Sequence, residues 1–145
     1  MQFADRFVIV PTLVKDRAGT LSGVSSPSDA LITVTDQETT GINALELICH
    51  AATVSSGRTI VLGIVPRQMF VRQTVRISAN QEVARNVLVH VLEGLRWQDS
   101  RTTTALSKLS WELFYGSDVE LYALNIHVVS RETLSPTGDV IRRPL

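Results

Sequence analysis

The residues that could do chemistry in this 145-residue chain are few and scattered. His50, His90 and His127 are the three histidines, two in predicted helices and one in the last strand of a hairpin. No two of them stand at the i, i+4 spacing of a helical zinc clamp, so each reads as a solvated or hydrogen-bonded structural residue. Cys49 precedes His50 directly, but neighbours on a helix point about 100° apart, which keeps a thiol from its would-be base. The carboxylate pairs Asp36 with Glu38 and Asp118 with Glu120 flank turns, where solvation and turn chemistry account for them. GTLSGVSSPSD is rich in Ser and Gly but lacks the Gly-x-x-x-x-Gly-Lys pattern of a phosphate cradle, and no Gly-x-Ser-x-Gly elbow occurs. The reading is of a chain that is not an enzyme, with no catalytic, cofactor-binding or metal-ligating residue to nominate.

Composition narrows the partners. Fourteen basic and fourteen acidic side chains leave no net charge, so there is no broad electrostatic footprint for nucleic acid or an anionic membrane. Trp97 and Trp111 could stack on bases, yet Trp111 alternates in phase with a hairpin core, and Arg96 and Arg101 are too few for a groove. The Gly-x-x-Gly loop of KH-type binders is missing. No apolar run reaches the roughly eighteen residues a membrane-spanning helix needs. The start, MQFADRFVIVP, lacks the basic, apolar and small-residue parts of a secretory signal, so an exported protein would carry its signal outside this numbering. Cys49 cannot form an internal disulfide and sits among helix residues as a small apolar side chain.

What remains is architecture. RFVIVPTLV (residues 6 to 14) is β-branched, with Pro11 favouring an edge strand. Residues 15 to 29 read as a Gly/Ser-rich loop. ALITVT alternates as a half-buried strand, and DQETT turns the chain into a helix capped by Thr39 or Thr40, with Ile42, Leu45, Ile48 and Ala52 on one face and Gly57 as its terminator. RTIVLGIV (58 to 65) has strand length and RQMFVRQ connects it to VRISA, a second half-buried strand. Asn80 is expected to cap the next helix, whose stripe is Val83, Val87, Val91 and Leu95, widened by Ala84, Leu88 and Leu92. WQDSRTTTA (97 to 105) is a polar loop. KLSWELFYG and ELYALNIHVV then form a hairpin around GSD, and RETLSPTGDVIRRPL reads as a tail.

The strand-to-helix unit therefore occurs twice. The pattern predicts an α+β fold: a two-layer sandwich of repeated β-α-β units, two helices packed on one face of a mixed sheet, plus a C-terminal hairpin. The expected organisation is an N-terminal strand and loop (1 to 29), the α+β domain (30 to 129) and a tail or linker (130 to 145).

Over about residues 30 to 129 the chain resembles the short N-terminal domain shared by secretins and TonB-dependent receptors. The resemblance rests on the order strand, helix, strand, strand, helix, strand, strand. It rests also on INALELICHAA, LGIVP, VRISA with ARNVLVHVL, and LSWELFYG before LYALNIHVV. Ala44-Leu45, Val87-Leu88 and Leu109-Ser110-Trp111 look like that family's helix and hairpin packing pairs. It implies a non-catalytic protein–protein interaction domain of a bacterial envelope protein, periplasmic or otherwise extracytoplasmic, acting in secretion or pilus assembly or in TonB-type signalling. Contact would run through exposed sheet edges, to a protein partner or a second copy. The alternative is a small ligand-binding protein or enzyme with a pocket under residues 15 to 29.

Overall fold

The computed structural model describes residues 13–15, 17–23, 25–98, 108–129, 132–134 and 140–142. Two strands, β1 (Leu13–Lys15) and β2 (Leu21–Gly23), pair as an exposed antiparallel hairpin, so the segment from 15 to 29 is more ordered than a loop. A 3-10 turn at Pro27–Asp29 follows, capped by Ser26, whose Oγ accepts from the Ser28 N–H. The expected strand at 6 to 14 falls mostly on residues 1 to 12, outside the described residues.

β3 (Leu31–Thr40) buries Ile32 and Val34 and runs without a loop into helix α1 (Gly41–Ser56). Thr40 is the cap: its Oγ1 accepts from the Asn43 N–H at 3.3 Å, taking up one of the helix's orphan donors. The predicted stripe Ile42, Leu45, Ile48 and Ala52 is buried, joined by Ala44 and Cys49. Gly57 ends the helix at φ 68°, a left-handed conformation that glycine adopts without a Cβ penalty, and its N–H bonds the Thr53 carbonyl. Thr40→Ala is expected to lower stability by about 1 kcal/mol, the usual cost of a lost N-cap, measured by urea denaturation.

RTIVLGIV yields only a three-residue strand, β4 (Ile60–Leu62), parallel to the hairpin strand β7 (Leu121–Val129). The chain still follows β7 past its end, through Gly63 N–H to Leu124 O and Ile126 N–H to Ile64 O, but Ile64 N–H turns to the Asn125 side chain and the ladder stops. The connector RQMFVRQ is itself a helix, α2 (Arg67–Arg72), which drives Phe70 into the core at 0% exposure.

β5 (Thr74–Val83) buries Val75, Ile77 and Ala79 as expected. It does not stop at Asn80, which is a strand residue rather than the cap of α3 (Ala84–Gln98). The reason lies in the ladder with β3. Asn80 and Gln81 together oppose Thr33, a bulge at which Gln81 takes φ 54°, and Thr35 and Asp36 together oppose Ser78, a second bulge on the partner strand. The two cancel, so register is restored at both ends. Pairing then continues to Leu31 opposite Val83, and the Ala84 N–H donates to the Ala30 carbonyl, giving the start of α3 a backbone partner from across the ribbon.

The α+β class holds, and the mixed sheet exists as β4-β7-β6, with β6 (Lys108–Gly116) antiparallel to β7 in unbroken register. The strands β3 and β5, however, form a separate two-stranded ribbon. Each β-α-β unit sends its two strands to different sheets: β3 pairs with β5, and β4 pairs with β7. The helix pair meets both, α1 touching β3 and β4 and α3 touching β5 and β6. One core collects Leu45 and Ile48 of α1, Leu88 and Leu95 of α3, Ile32 and Ile77 of the ribbon, and Leu124 and Ile126 of the sheet. Two further short strands, β8 (Glu132–Leu134) and β9 (Val140–Arg142), pair with each other where a tail was expected.

Candidate interaction surfaces

Helix and strand geometry keep the chemically able residues apart. His50 is exposed on α1, His90 is exposed on α3, and His127 stands on the solvent face of β7, where its Nε2 lies 3.2 Å from Glu112 Oε1. Among the described residues no three His, Cys, Asp or Glu side chains converge. Cys49 is buried while its neighbour His50 is exposed, the divergence expected of adjacent helix positions. Burial, with a smaller contribution from Glu46, pushes the Cys49 thiol up to about 12. A thiol reagent should therefore label the native protein negligibly and the unfolded protein once. Rapid native labelling would contradict the buried position.

Asp36 does not act with Glu38. It binds Arg76 of β5 through both carboxylate oxygens, and that hydrogen-bonded guanidinium holds its carboxyl below the ordinary carboxylate value. Asp118 meets Arg17 through its backbone carbonyl at 3.1 Å, and Glu120 occupies the hairpin turn at φ 53°. Trp111 is a hairpin residue opposite Ile126, half-buried against the core. The side chains of Arg96, Trp97 and Arg101 lie outside the described residues.

An open groove of about 870 Å³ runs between the 3-10 turn, the start of β3 and the last turns of α1. Its floor and walls include Pro27, Leu31, His50, Val54, Ser55 and Arg58. The position matches the pocket expected under residues 15 to 29, but most of its polar groups are committed elsewhere. Asp29 is paired with Arg85, Arg58 donates to the Tyr122 hydroxyl at 3.1 Å, and the Ser55 hydroxyl donates to the Leu31 carbonyl at 2.7 Å. Gln81 Nε2 donates to Thr33 Oγ1 at 3.0 Å. His50 is the exposed imidazole on the wall.

The Ser55 bond also fixes the polarity of the β3 edge. Ala30 O accepts from β5's side, whereas Leu31 O accepts from the helix. Leu31 thus directs its carbonyl away from β5, to the side where Ser55 takes it up. Among the described residues β3 pairs with no strand on that side.

A second surface is the solvent face of the three-stranded sheet. Register places Val61, Ala123 and Phe114 side by side across β4, β7 and β6, and Phe114 is 63% exposed. Next to this apolar row lies a polar cluster. Asn125 Nδ2 donates to Glu112 Oε1 at 3.1 Å, Asn125 Oδ1 accepts from the Ile64 N–H at 2.9 Å, and His127 joins Glu112. The hydrogen bond from Asn125, then that from His127, holds the Glu112 carboxyl below its ordinary value.

The period of two along β6 sets Phe114 out of phase with Trp111, Leu113 and Tyr115, a signal that could have marked it. It could not foretell Val61, which sits in a continuous apolar run with no visible face, nor the groove, whose walls come from three separated segments. No family model, curated protein or solved structure matches the chain significantly.

Proposed function

We propose that this chain is a non-catalytic protein–protein interaction domain of a bacterial envelope protein, working on the extracytoplasmic side in secretion or pilus assembly or in TonB-type signalling. The observation that carries the reading is that, among the described residues, β3 beside the groove and β6 at the far side of the sheet each lack a strand neighbour on one side. Such edges offer main-chain hydrogen bonds to an added strand, while neighbouring pockets select its side chains. The order strand, helix, strand, strand, helix, strand, strand over β3 to β7 is the order on which the resemblance to the secretin and TonB short N-terminal domain rests, with α2 inserted between β4 and β5. No helix among the described residues is long and apolar enough to cross a membrane, which agrees with a domain that does not itself insert by a helix.

The second reading, a small ligand-binding protein or enzyme, is favoured by the groove at the end of the 15 to 29 segment. The commitment of Asp29, Arg58 and Ser55 to internal partners weighs against it, because a reactive site needs polar groups free to meet a substrate.

The test is chemical crosslinking of the tagged chain in the periplasm of a diderm bacterium, followed by mass spectrometry. The proposal expects specific adducts with envelope assembly or signalling proteins, lost when the edge is blocked by Thr33→Pro. Adducts indifferent to that substitution, or none, would count against it.

A further inference from the structure

We propose that the segment from Ile64 to Arg72 is a peripheral docking surface for an anionic lipid membrane, where Ile64 and Val71 enter the headgroup layer and Arg67 and Arg72 meet lipid phosphates. This goes beyond the reading above, which concerns strand edges and a protein partner, and it stands on different residues.

The argument begins with charge, which is spread unevenly along a chain that is neutral overall. Between Glu46 and Glu82 stand the four arginines Arg58, Arg67, Arg72 and Arg76, with no Asp, Glu or Lys. Two of them are engaged: Arg58 donates to the Tyr122 hydroxyl and Arg76 binds Asp36. Arg67 and Arg72 are exposed and make no ion pair among the described residues. The elements packed against α2 are α1 and β3. Of their acidic side chains, Asp36 is spent on Arg76, Glu38 stands opposite Arg76 in the ladder, and Glu46 acts on the Cys49 thiol. Two positive charges are therefore left to α2.

Helix geometry places the rest. Phe70 points into the core, so Gln68 and Arg72, two residues to either side of it, lie about 160° away and face solvent. Val71 stands one turn after Arg67 on the same side of the helix. It is 56% exposed, and Ile64, just ahead of the helix, is 71% exposed. Six helical residues span only about 9 Å, which keeps both arginines close to Val71.

Uncovered aliphatic side chains flanked by arginines are the chemistry of a membrane-surface contact. The aliphatic groups leave water for the acyl boundary, while the arginine stems run along apolar surface and their guanidinium forks bind phosphate oxygens. A soluble anion would account for the arginines and leave Ile64 and Val71 in water; an anionic membrane accounts for both. Neither aliphatic side chain lines the groove beside β3, so the two surfaces are separate.

The experiment is flotation of the full chain at low salt with vesicles of phosphatidylcholine, alone or mixed with phosphatidylglycerol, for the parent, R67Q, R72Q and R67Q/R72Q, each checked for folding by circular dichroism. The expected result is flotation with the anionic vesicles only, weakened about fivefold by each arginine removed. An environment-sensitive dye on Val71→Cys should shift to the blue on those vesicles and the same dye on His90→Cys should not; Cys49 is buried and does not compete for the dye. No flotation, equal flotation with neutral vesicles, undiminished flotation of R67Q/R72Q, or a dye shift at both positions would each overturn the proposal. So would release by inorganic phosphate beyond that by chloride of equal ionic strength, the mark of a free-anion site. None of these outcomes touches crosslinking at the β3 edge, so failure here is distinguishable from failure of the interaction-domain reading.

Discussion

Phe70→Ala is expected to cost about 3–5 kcal/mol of stability, the largest loss of any single truncation considered for this chain. The side chain comes from a helix of six residues and is fully buried, its relative exposure being 0%. Its backbone carbonyl lies beside Gly41, at the start of α1, where Leu95 of α3 also approaches. Removing the ring leaves a cavity in the core, and because the surroundings collapse only partly such sites are costly. Phe70→Leu, which keeps most of the volume, should cost less than about half as much. Guanidinium denaturation followed by circular dichroism measures both. A loss near 0.5 kcal/mol, the scale of surface substitutions, would mean that α2 is not docked as described.

The second large effect is expected at Gly41. A Cβ there would lie 2.8 Å and 3.1 Å from the two methyl carbons of Leu95 and 3.1 Å from the Phe70 carbonyl oxygen. Leu95 is itself fully buried and the carbonyl belongs to backbone, so neither has an easy retreat. Alanine would normally improve a helix by up to about 1 kcal/mol over glycine. Here the overpacking should win, leaving Gly41→Ala about 1–3 kcal/mol less stable. Leu95→Val in the same chain should recover part of that loss, giving a coupling that a double-mutant cycle reads directly. Gly41→Ala without loss, or no coupling to Leu95, would contradict the close approach.

These two residues also mark what the sequence could and could not reveal. The stripe Ile42, Leu45, Ile48 and Ala52, the Thr40 cap and the Gly57 terminator were legible because each is a local rule about one helix. The hairpin was legible for the same kind of reason, since two alternating runs flank the short turn GSD. A helix of six residues has too few turns to show a period, so RQMFVRQ reads as a connector and nothing in it marks Phe70 as core. Asn80 was misplaced because asparagine suits both a helix cap and irregular strand positions, and only the partner strand decides between them. The separation of ribbon from sheet depends on which strand pairs with which, and a period of two carries no such information. The groove was half visible, since the 15 to 29 segment drew attention to its position, while α1's contribution of His50, Val54 and Ser55 required the fold.

The acid side of the stability curve should register the Asp36–Arg76 pair. Asp36 has a lowered value in the folded chain, so its contribution is complete above the ordinary carboxylate pKa of about 4 and is lost as pH falls through the lower folded value. The pair is solvent-exposed, so the effect should be small, and Asp36→Asn should flatten that part of the profile.

The most direct test of an interaction domain that works through its strand edges is site-specific photocrosslinking in cells, with the photoreactive residue at Thr33 on the β3 edge and, in a separate chain, at His90 on the exposed face of α3. The account predicts a discrete partner adduct from Thr33 and none from His90. Adducts from His90 alone, or equal adducts from both positions, would contradict contact through the β3 edge.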